Sequence, residues 1–563
     1  MDDCRHLLVV ANFSCHIVVD DDPPGWLTRG CPRFAVVAAS TFLRAPSSGD
    51  AMSSLPLLLA SCLATLVSAG GGADLHPAPA PLGLWWHAPV LSGGGYGSEA
   101  NALLVGLAGL GADAPPLRAT HHGDSLDSDF VRGLPPTTRD VLDALLRSRR
   151  PAPADAIVVC HSEPGAWAPA MYQTSPCPPR GYAPNDHAYV VGRTMFETDR
   201  LDPAHVERAN AMREVWVPTA WGADVFARSG VRREKIRVVP EAVDVAAFRP
   251  SEPPRSNAFE HFENVASNGD AFGRPFDLVA SSRRLIGPPP SSRRAGARRA
   301  DGSRLGSFAT SFLSVFKWEP RKAPEILLGA YLAEFTADDD VALFLRCDTY
   351  HDARGQDAIT ERVLAIAHEA WRGGRRWGFS RDADGDGDGD GDDGKEDDSD
   401  FGVAAASRAP RVFQVPRVGD VALPAMYRAA DVFVLPSRGE GWGRPHVEAM
   451  ASALPVIATD WSGPAEFLTR ENGYPLAVEP ELVHPPEGHH FASHRWAQPN
   501  ATRLRELMRE THERPEEARA KGRVAREDVV RRFAPDVVAR LVAAHVERIE
   551  AETRSERARR EEL

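Results

Sequence analysis

From Pro81 onward, short apolar runs recur along the chain, most of them separated by stretches with helical spacing. "LGLWWHAPV" (82–90), "AIVVC" (156–160), "AYVV" (188–191), "VWVP" (215–218) and "IRVVP" (236–240) read as buried strands. After the loop "LSGGGYG" the pattern predicts a helix capped by Ser98, with Leu103, Leu107 and Leu110 on one face and Gly111 closing it. A second helix runs from Ala220 to Arg228 and is closed by Gly230. The rhythm resumes at "SFLSVF" (311–316), then a helix from Pro324, "VALFLR" (341–346), "RVFQVP" (411–416), a helix around 423–430, and strands at 432–436 and 455–459. Strands alternating with helices predict an α/β protein in which each domain is a parallel sheet covered by helices on both faces. The domains are expected at 81–250 and 311–535, with a charged helix at 536–563.

Elsewhere the pattern stops. Residues 1–51 show no periodicity and read as an unstructured or spurious extension. From Met52, an apolar stretch (Leu55–Val67) followed by Ser68-Ala69-Gly70 is too short for a typical membrane span and suits a signal-peptide core, with 52–80 as signal and tether. The expectation is translation from Met52 into the secretory pathway, with no transmembrane span in the mature chain; a start at Met1 implies the cytoplasm instead. Asn500-Ala501-Thr502 is a glycosylation acceptor triplet in the secretory case. Residues 251–310, rich in Pro, Ser and Arg, read as a disordered linker or insertion. Residues 382–400 hold ten Asp, one Glu and one Lys, a net −10 of the chain's −13. With about −3 left for the rest, neither nucleic acid nor an anionic membrane is favoured as a partner. Asp382, Asp384, Asp386 and Gly387 fit the start of a calcium loop, but no helices flank the run and it reads as a low-complexity surface insertion. The seven Cys show no metal-ligand spacing.

The chemistry concentrates in "GEGWGRPHVEAM" (439–450), between the strand at 432–436 and the strand at 455–459. Pro445 fits a first helical turn, and Val447, Met450, Ala451 and Leu454 supply a buried face. This makes a βαβ unit whose loop lies beyond the C-terminal strand end, where ligands of such sheets bind. Glu440 falls in the loop and Glu448 on the helix flank. Gly439, Gly441 and Gly443 let backbone N–H groups approach a ligand, and the helix N-terminus favours a phosphate. A nucleotide sugar fits the layout, with carboxylates as acceptors for paired sugar hydroxyls.

"EGWGRPHVE" resembles the E-x7-E motif of retaining glycosyltransferases of family 4, with the GT-B fold. The stretches at 215–250, 316–331 and around the motif are similar to that family in the family's order, so the resemblance covers roughly 82–250 and 311–535. It implies two Rossmann-like domains with parallel sheets facing a central cleft, the N-terminal one binding the acceptor. It further implies Glu440 near the reacting sugar carbon, Glu448 on the ribose hydroxyls, and Lys317 and Lys322 on the donor diphosphate, with Arg321 adjacent and able to substitute. Ala323 stands where the family has glycine. His161 matches a histidine near the sugar, and Gly93, Gly94 and Gly95 match the N-domain loop bordering the cleft. Glu197 and Trp442 are candidates for acceptor contact, with core packing or a surface place as the alternative. The partners implied are a nucleotide sugar and an unidentified acceptor; no cofactor and no metal are expected. The competing readings are a non-catalytic carbohydrate- or nucleotide-binding protein on the same scaffold, a GT-B epimerase, and a phosphorylase, which needs a pyridoxal-phosphate lysine and a longer chain.

Overall fold

The computed structural model describes residues 81–183, 188–250, 276–290, 308–349, 354–372, 408–419 and 422–562. All of them belong to one compact unit, Ala80–Leu563. The segments expected as an extension, a signal and tether, and an Asp-Gly insertion lie outside the described residues, as does most of the expected linker.

Six strands build the N-terminal sheet: β1 (Gly83–Ala88), β2 (Leu117–His121), β3 (Ala156–His161), β4 (Tyr189–Arg193), β5 (Glu214–Val217) and β6 (Ile236–Val238). Their order is β2-β1-β3-β4-β5-β6 and every pairing is parallel. The C-terminal sheet holds β7 (Arg283–Ile286), β8 (Thr310–Trp318), β9 (Val341–Thr349), β10 (Arg411–Val415), β11 (Val432–Leu435), β12 (Val456–Thr459) and β13 (Tyr474–Leu476). Its order is β13-β12-β11-β8-β9-β10-β7, parallel except for β7. This is the two-sheet α/β architecture that the alternation predicts, and each of the expected strands is present.

Three strands were not expected: β2, β7 and β13. All three lie at sheet edges, and β13 is only three residues long. An edge strand is covered on fewer sides, so "LRATH" and "RRLI" each bury a single residue fully and carry no apolar run to detect. β7 corrects the reading of 251–310 as wholly structureless, since it pairs with β10 and Ile286 joins the core. The helix expected from Ser98 begins at Gly95, with Gly94 as N-cap and no side-chain cap bond, and is closed by Gly109.

The final helix, Pro535–Glu561, is more than a charged tail. Val538, Val542, Val546 and Ile549 recur at helical spacing and are buried with Leu84, Trp86, Leu103 and Leu107 of the N-terminal half. Each contributes about 1.5–3 kcal/mol on burial, more than the helix's surface ion pairs. Arg548 reaches Glu214 at 2.8 Å, and Glu550 accepts the Leu82 amide at 2.7 Å. The chain's last helix thus completes its first core.

A disulfide joins Cys160, in β3, to Cys177, both fully buried. Among the described residues Cys347 is a free, buried thiol. No helix among them is long and apolar enough to cross a membrane.

Candidate functional site

Sheet order places β8 beside β11, so the loops that follow these two parallel strands open on the same sheet edge. The first carries a tight turn, Pro320–Lys322, and the second carries Gly439 to Gly443. The two meet at Glu440. Lys322 Nζ lies 2.6 and 2.8 Å from the two carboxylate oxygens, Arg321 Nη1 donates to Oε2 at 3.0 Å, and Ser437 Oγ donates to Oε1 at 2.6 Å. Burial alone raises the Glu440 carboxyl, but the Lys322 ammonium and then the Arg321 guanidinium outweigh it and hold the acid well below the usual carboxylate range. Burial, followed by Arg321, lowers the Lys322 ammonium, against the pull of Glu440.

Arg321 also pairs with Glu319 at 2.8 Å and with Glu197 of the N-terminal half at 3.3 Å. Lys317 is exposed in β8. The buried cation pair is therefore Arg321 with Lys322, where the resemblance implies Lys317 with Lys322. Ala323 sits fully buried at φ 50° and ψ 49°, the left-handed conformation that glycine adopts freely. The backbone shape that the family glycine implies is thus kept, at a steric cost of about 1–2 kcal/mol.

The glycines of the loop have a second task. A Cβ on Gly439 would collide with the Glu197 carbonyl oxygen, and one on Gly441 with Met195. Both positions stay bare so that Met195–Glu197 can lie against the loop. Gly443, at φ 108°, caps the helix Arg444–Ala451 in a conformation closed to most side chains. Ser462, at φ 60° and fully buried, accepts the Glu440 amide at 2.9 Å. Trp442 packs on Phe467 and Phe533 at 5.2 and 4.9 Å between ring centres, so it is a core residue.

Glu448 lies on the inward face of its helix, 7% exposed. Tyr427 donates to Oε2 at 3.1 Å, and Arg444 Nε approaches Oε1 at 3.2 Å. His446, on the same helix, is fully buried; its Nε2 faces the Leu435 carbonyl at 3.3 Å and its Nδ1 has no partner.

His161, at the end of β3, is fully buried and neutral, because burial lowers its pKa more than Glu99 raises it. Trp86 Nε1 donates to its Nδ1 at 3.0 Å, so its proton sits on Nε2, which donates to Glu99 at 3.0 Å. Both ring nitrogens are occupied, and contact with a donor sugar would require this network to open. Arg193 Nε donates to the other Glu99 oxygen at 2.6 Å and Nη1 to the Val239 carbonyl at 2.7 Å. Burial raises the Glu99 carboxyl, but Arg193 and then His161 outweigh it, to about 2.

Gly93, Gly94 and Gly95 form the turn into the helix Gly95–Ala108. Tyr96, one residue on, donates to the Met195 carbonyl at 3.2 Å. The glycine turn, Met195–Glu197 and the Gly439–Gly443 loop therefore converge. A cavity of about 410 Å³, lined by Ser92, Asp124, Asp127 and Asp129 among others, opens beside Gly94. Among the described residues no group of three His, Cys, Asp or Glu is arranged to hold a metal ion.

Sequence reasoning missed Glu99, Arg193, Glu241, Tyr427, Ser437, Arg444 and Ser462. Arg444 lies inside the quoted motif, Ser437 three residues before Glu440, and Glu99 four residues after the glycine turn; the others carry no local signal.

With this geometry in view, residues 389–487, which include the Glu440 loop and Glu448, match the protein family described as "Glycosyl transferases group 1". Two curated relatives match shorter stretches. One is the lipopolysaccharide core biosynthesis mannosyltransferase LpsB of Rhizobium meliloti, 40% identical over 80 residues, covering 14% of this chain and 22% of that protein. The other is the mannosylfructose-phosphate synthase of Agrobacterium fabrum, 52% identical over 46 residues, covering 8% and 10%. The matches thus span about a fifth and a tenth of these relatives' lengths. A crystal structure of a glycosyltransferase from Rickettsia africae is similar over 83% of this chain and 98% of its own, at 14% identity and a TM-score of 0.49.

Proposed function

We propose that this protein is a retaining glycosyltransferase of the family 4 type that takes a nucleotide sugar in the site around Glu440 and Glu448. The observation that carries the reading is the Lys322–Glu440–Arg321 cluster, built from two adjacent strand-end loops beside a second buried glutamate. Two of the three Lys322 N–H donors point at Glu440, and the third would meet the donor diphosphate. Glu448 would hold the ribose hydroxyls and Glu440 a hydroxyl of the sugar.

In the reaction, the bond from the anomeric carbon to the diphosphate breaks as the acceptor hydroxyl oxygen bonds to the same face of that carbon. The hydroxyl proton leaves with the diphosphate, whose developing charge is met by Lys322 and Arg321. No metal has a task in this scheme, so a chelator should leave transfer unchanged. The buried Cys160–Cys177 disulfide supports an oxidising compartment, in keeping with the secretory expectation.

A panel of UDP- and GDP-sugars, scored by binding and by slow donor hydrolysis, tests the reading. Hydrolysis of one donor to the nucleoside diphosphate and a sugar of unchanged anomeric configuration supports it. Binding with no turnover in the presence of glycan, lipid and peptide acceptors would favour a binding protein, and release of an altered free sugar an epimerase.

A further inference from the structure

Glu448 is not held by its own half of the molecule alone. Arg444, one helical turn before it, directs Nε to Glu448 Oε1 at 3.2 Å. Its Nη1 donates to the Ala242 carbonyl at 3.1 Å and stands 3.7 Å from Glu241 Oε2. Glu241 and Ala242 follow β6, on the stretch that leads out of the N-terminal sheet. All of these groups are buried or nearly so: the side chains of Arg444, Glu448 and Glu241 are 17%, 9% and 4% exposed.

The guanidinium is planar, so one arginine can face a carboxylate with one edge and a carbonyl with the other. Tyr427 fixes the second oxygen of Glu448. Glu448 is thereby held on both oxygens, which settles its rotamer before any ligand arrives. Burial, and then Glu99, raise the Glu241 acid well above its ordinary value, with Arg444 opposing.

We propose that Arg444, anchored on the Ala242 carbonyl and Glu241, is the positioning residue that sets Glu448 to receive the paired ribose hydroxyls of a nucleoside diphosphate. This rests on the reading of Glu448 as the ribose acceptor. It adds that discrimination of ribose from deoxyribose depends on a residue that touches no ligand, and on the stretch joining the two sheets.

The test is calorimetric binding of UDP, GDP and their 2′-deoxy counterparts to the full chain. The proteins compared are the wild type, Glu448→Ala, Arg444→Ala, Arg444→Lys and the Arg444→Ala/Glu448→Ala pair, each checked by thermal melting. Wild type should prefer the ribose form of the diphosphate it binds, and Glu448→Ala should lose that preference. Arg444→Ala should weaken the ribose form about tenfold and leave the deoxy form unchanged, with Arg444→Lys restoring less than half of the loss. In the Glu448→Ala background, Arg444→Ala should change nothing further. Equal weakening of both forms by Arg444→Ala would overturn the positioning role and leave the ribose reading standing. A preference that survives Glu448→Ala, or a wild type that binds neither diphosphate, overturns the ribose reading and this proposal together. If Arg444→Ala does not fold, Glu241→Gln serves, with a smaller loss of preference expected; an unchanged preference there removes the anchor.

Discussion

Each half of the molecule buries a carboxylate against basic side chains, and the two clusters differ in how they close. Around Glu99, His161, Trp86 and Arg193 all lie in the N-terminal half and answer one another: the histidine uses both nitrogens and the arginine finishes on backbone carbonyls. Around Glu440 the groups come from both halves through Glu197, and two neighbouring backbones, at Ala323 and Ser462, are held at positive φ. The first arrangement is a satisfied core network, the second a strained one on a strand-end loop. Strain of this kind costs roughly 1–3 kcal/mol per residue and persists where something other than stability maintains it. Similar charges therefore sit in different settings: one cluster is closed within the core, and the other lies on a strand-end loop, where the donor site is proposed.

The comparison is broken most sharply at Glu99. Glu99→Gln leaves the Arg193 guanidinium buried without its counter-charge and should cost about 3–5 kcal/mol of stability, read from a denaturant midpoint. The same group predicts an acid limb. Its carboxyl falls from an ordinary 4.5 to about 2 in the folded chain, so its stabilisation is complete above pH 4.5 and is lost as pH falls toward 2. The Glu99→Gln protein should lack that part of the slope; equal slopes would assign the acid limb to other carboxylates.

Lys322→Ala should act on the rate instead. Losing one charge stabiliser at a departing diphosphate raises the barrier by about 3–4 kcal/mol, a drop in kcat of two to three orders of magnitude. An unchanged kcat in a folded Lys322→Ala protein ends its assignment to the leaving group.

The two glutamates of the motif should then separate. Glu440→Gln should lower kcat more than it raises KM, and should shift the melting temperature less than Glu99→Gln does. Glu448→Ala should raise the donor KM about tenfold with kcat nearly kept, because ribose contacts persist equally in ground and transition states. Identical kinetic patterns would dissolve the division between them.

The smallest effect is expected at Ala323. Glycine there relieves about 1–2 kcal/mol of left-handed strain, loses about 0.8 kcal/mol of methyl burial, and adds roughly 0.4–1 kcal/mol of unfolded-state freedom. These nearly cancel, so Ala323→Gly should melt within a few degrees of wild type. A large destabilisation would mean that the Ala323 methyl group matters more to packing than its area suggests.

What was legible in the sequence follows the same division. Central strands announce themselves because burial on both faces demands an unbroken apolar run, as in "AIVVC" and "VALFLR". Edge strands β2 and β7 make no such demand, and β13 is too short for a run, so all three went unseen. The glycine loop and its two glutamates were readable because loop, helix and strand are contiguous. Of their partners, Lys322 and Arg321 were named through the resemblance, whereas Ser462 and Tyr427 were not, since they come from elements that only the fold brings near. The glycines themselves were half read: Gly439 and Gly441 also make room for Met195–Glu197, a neighbour some 240 residues away in sequence. His161 shows the converse, a recognisable residue whose surroundings are those of a core.

The helix Pro535–Glu561, which fills the first core with the last residues, bears on how the chain comes into being. A ribosome emits the N-terminal strands first, yet apolar side chains that pack on their sheet emerge only after the second sheet has been made. Throughout synthesis Leu103 and Leu107 wait without Val538 and Val542, while the second sheet already has its own core residues. The first core should therefore reach its full packing only after the second sheet has been synthesised.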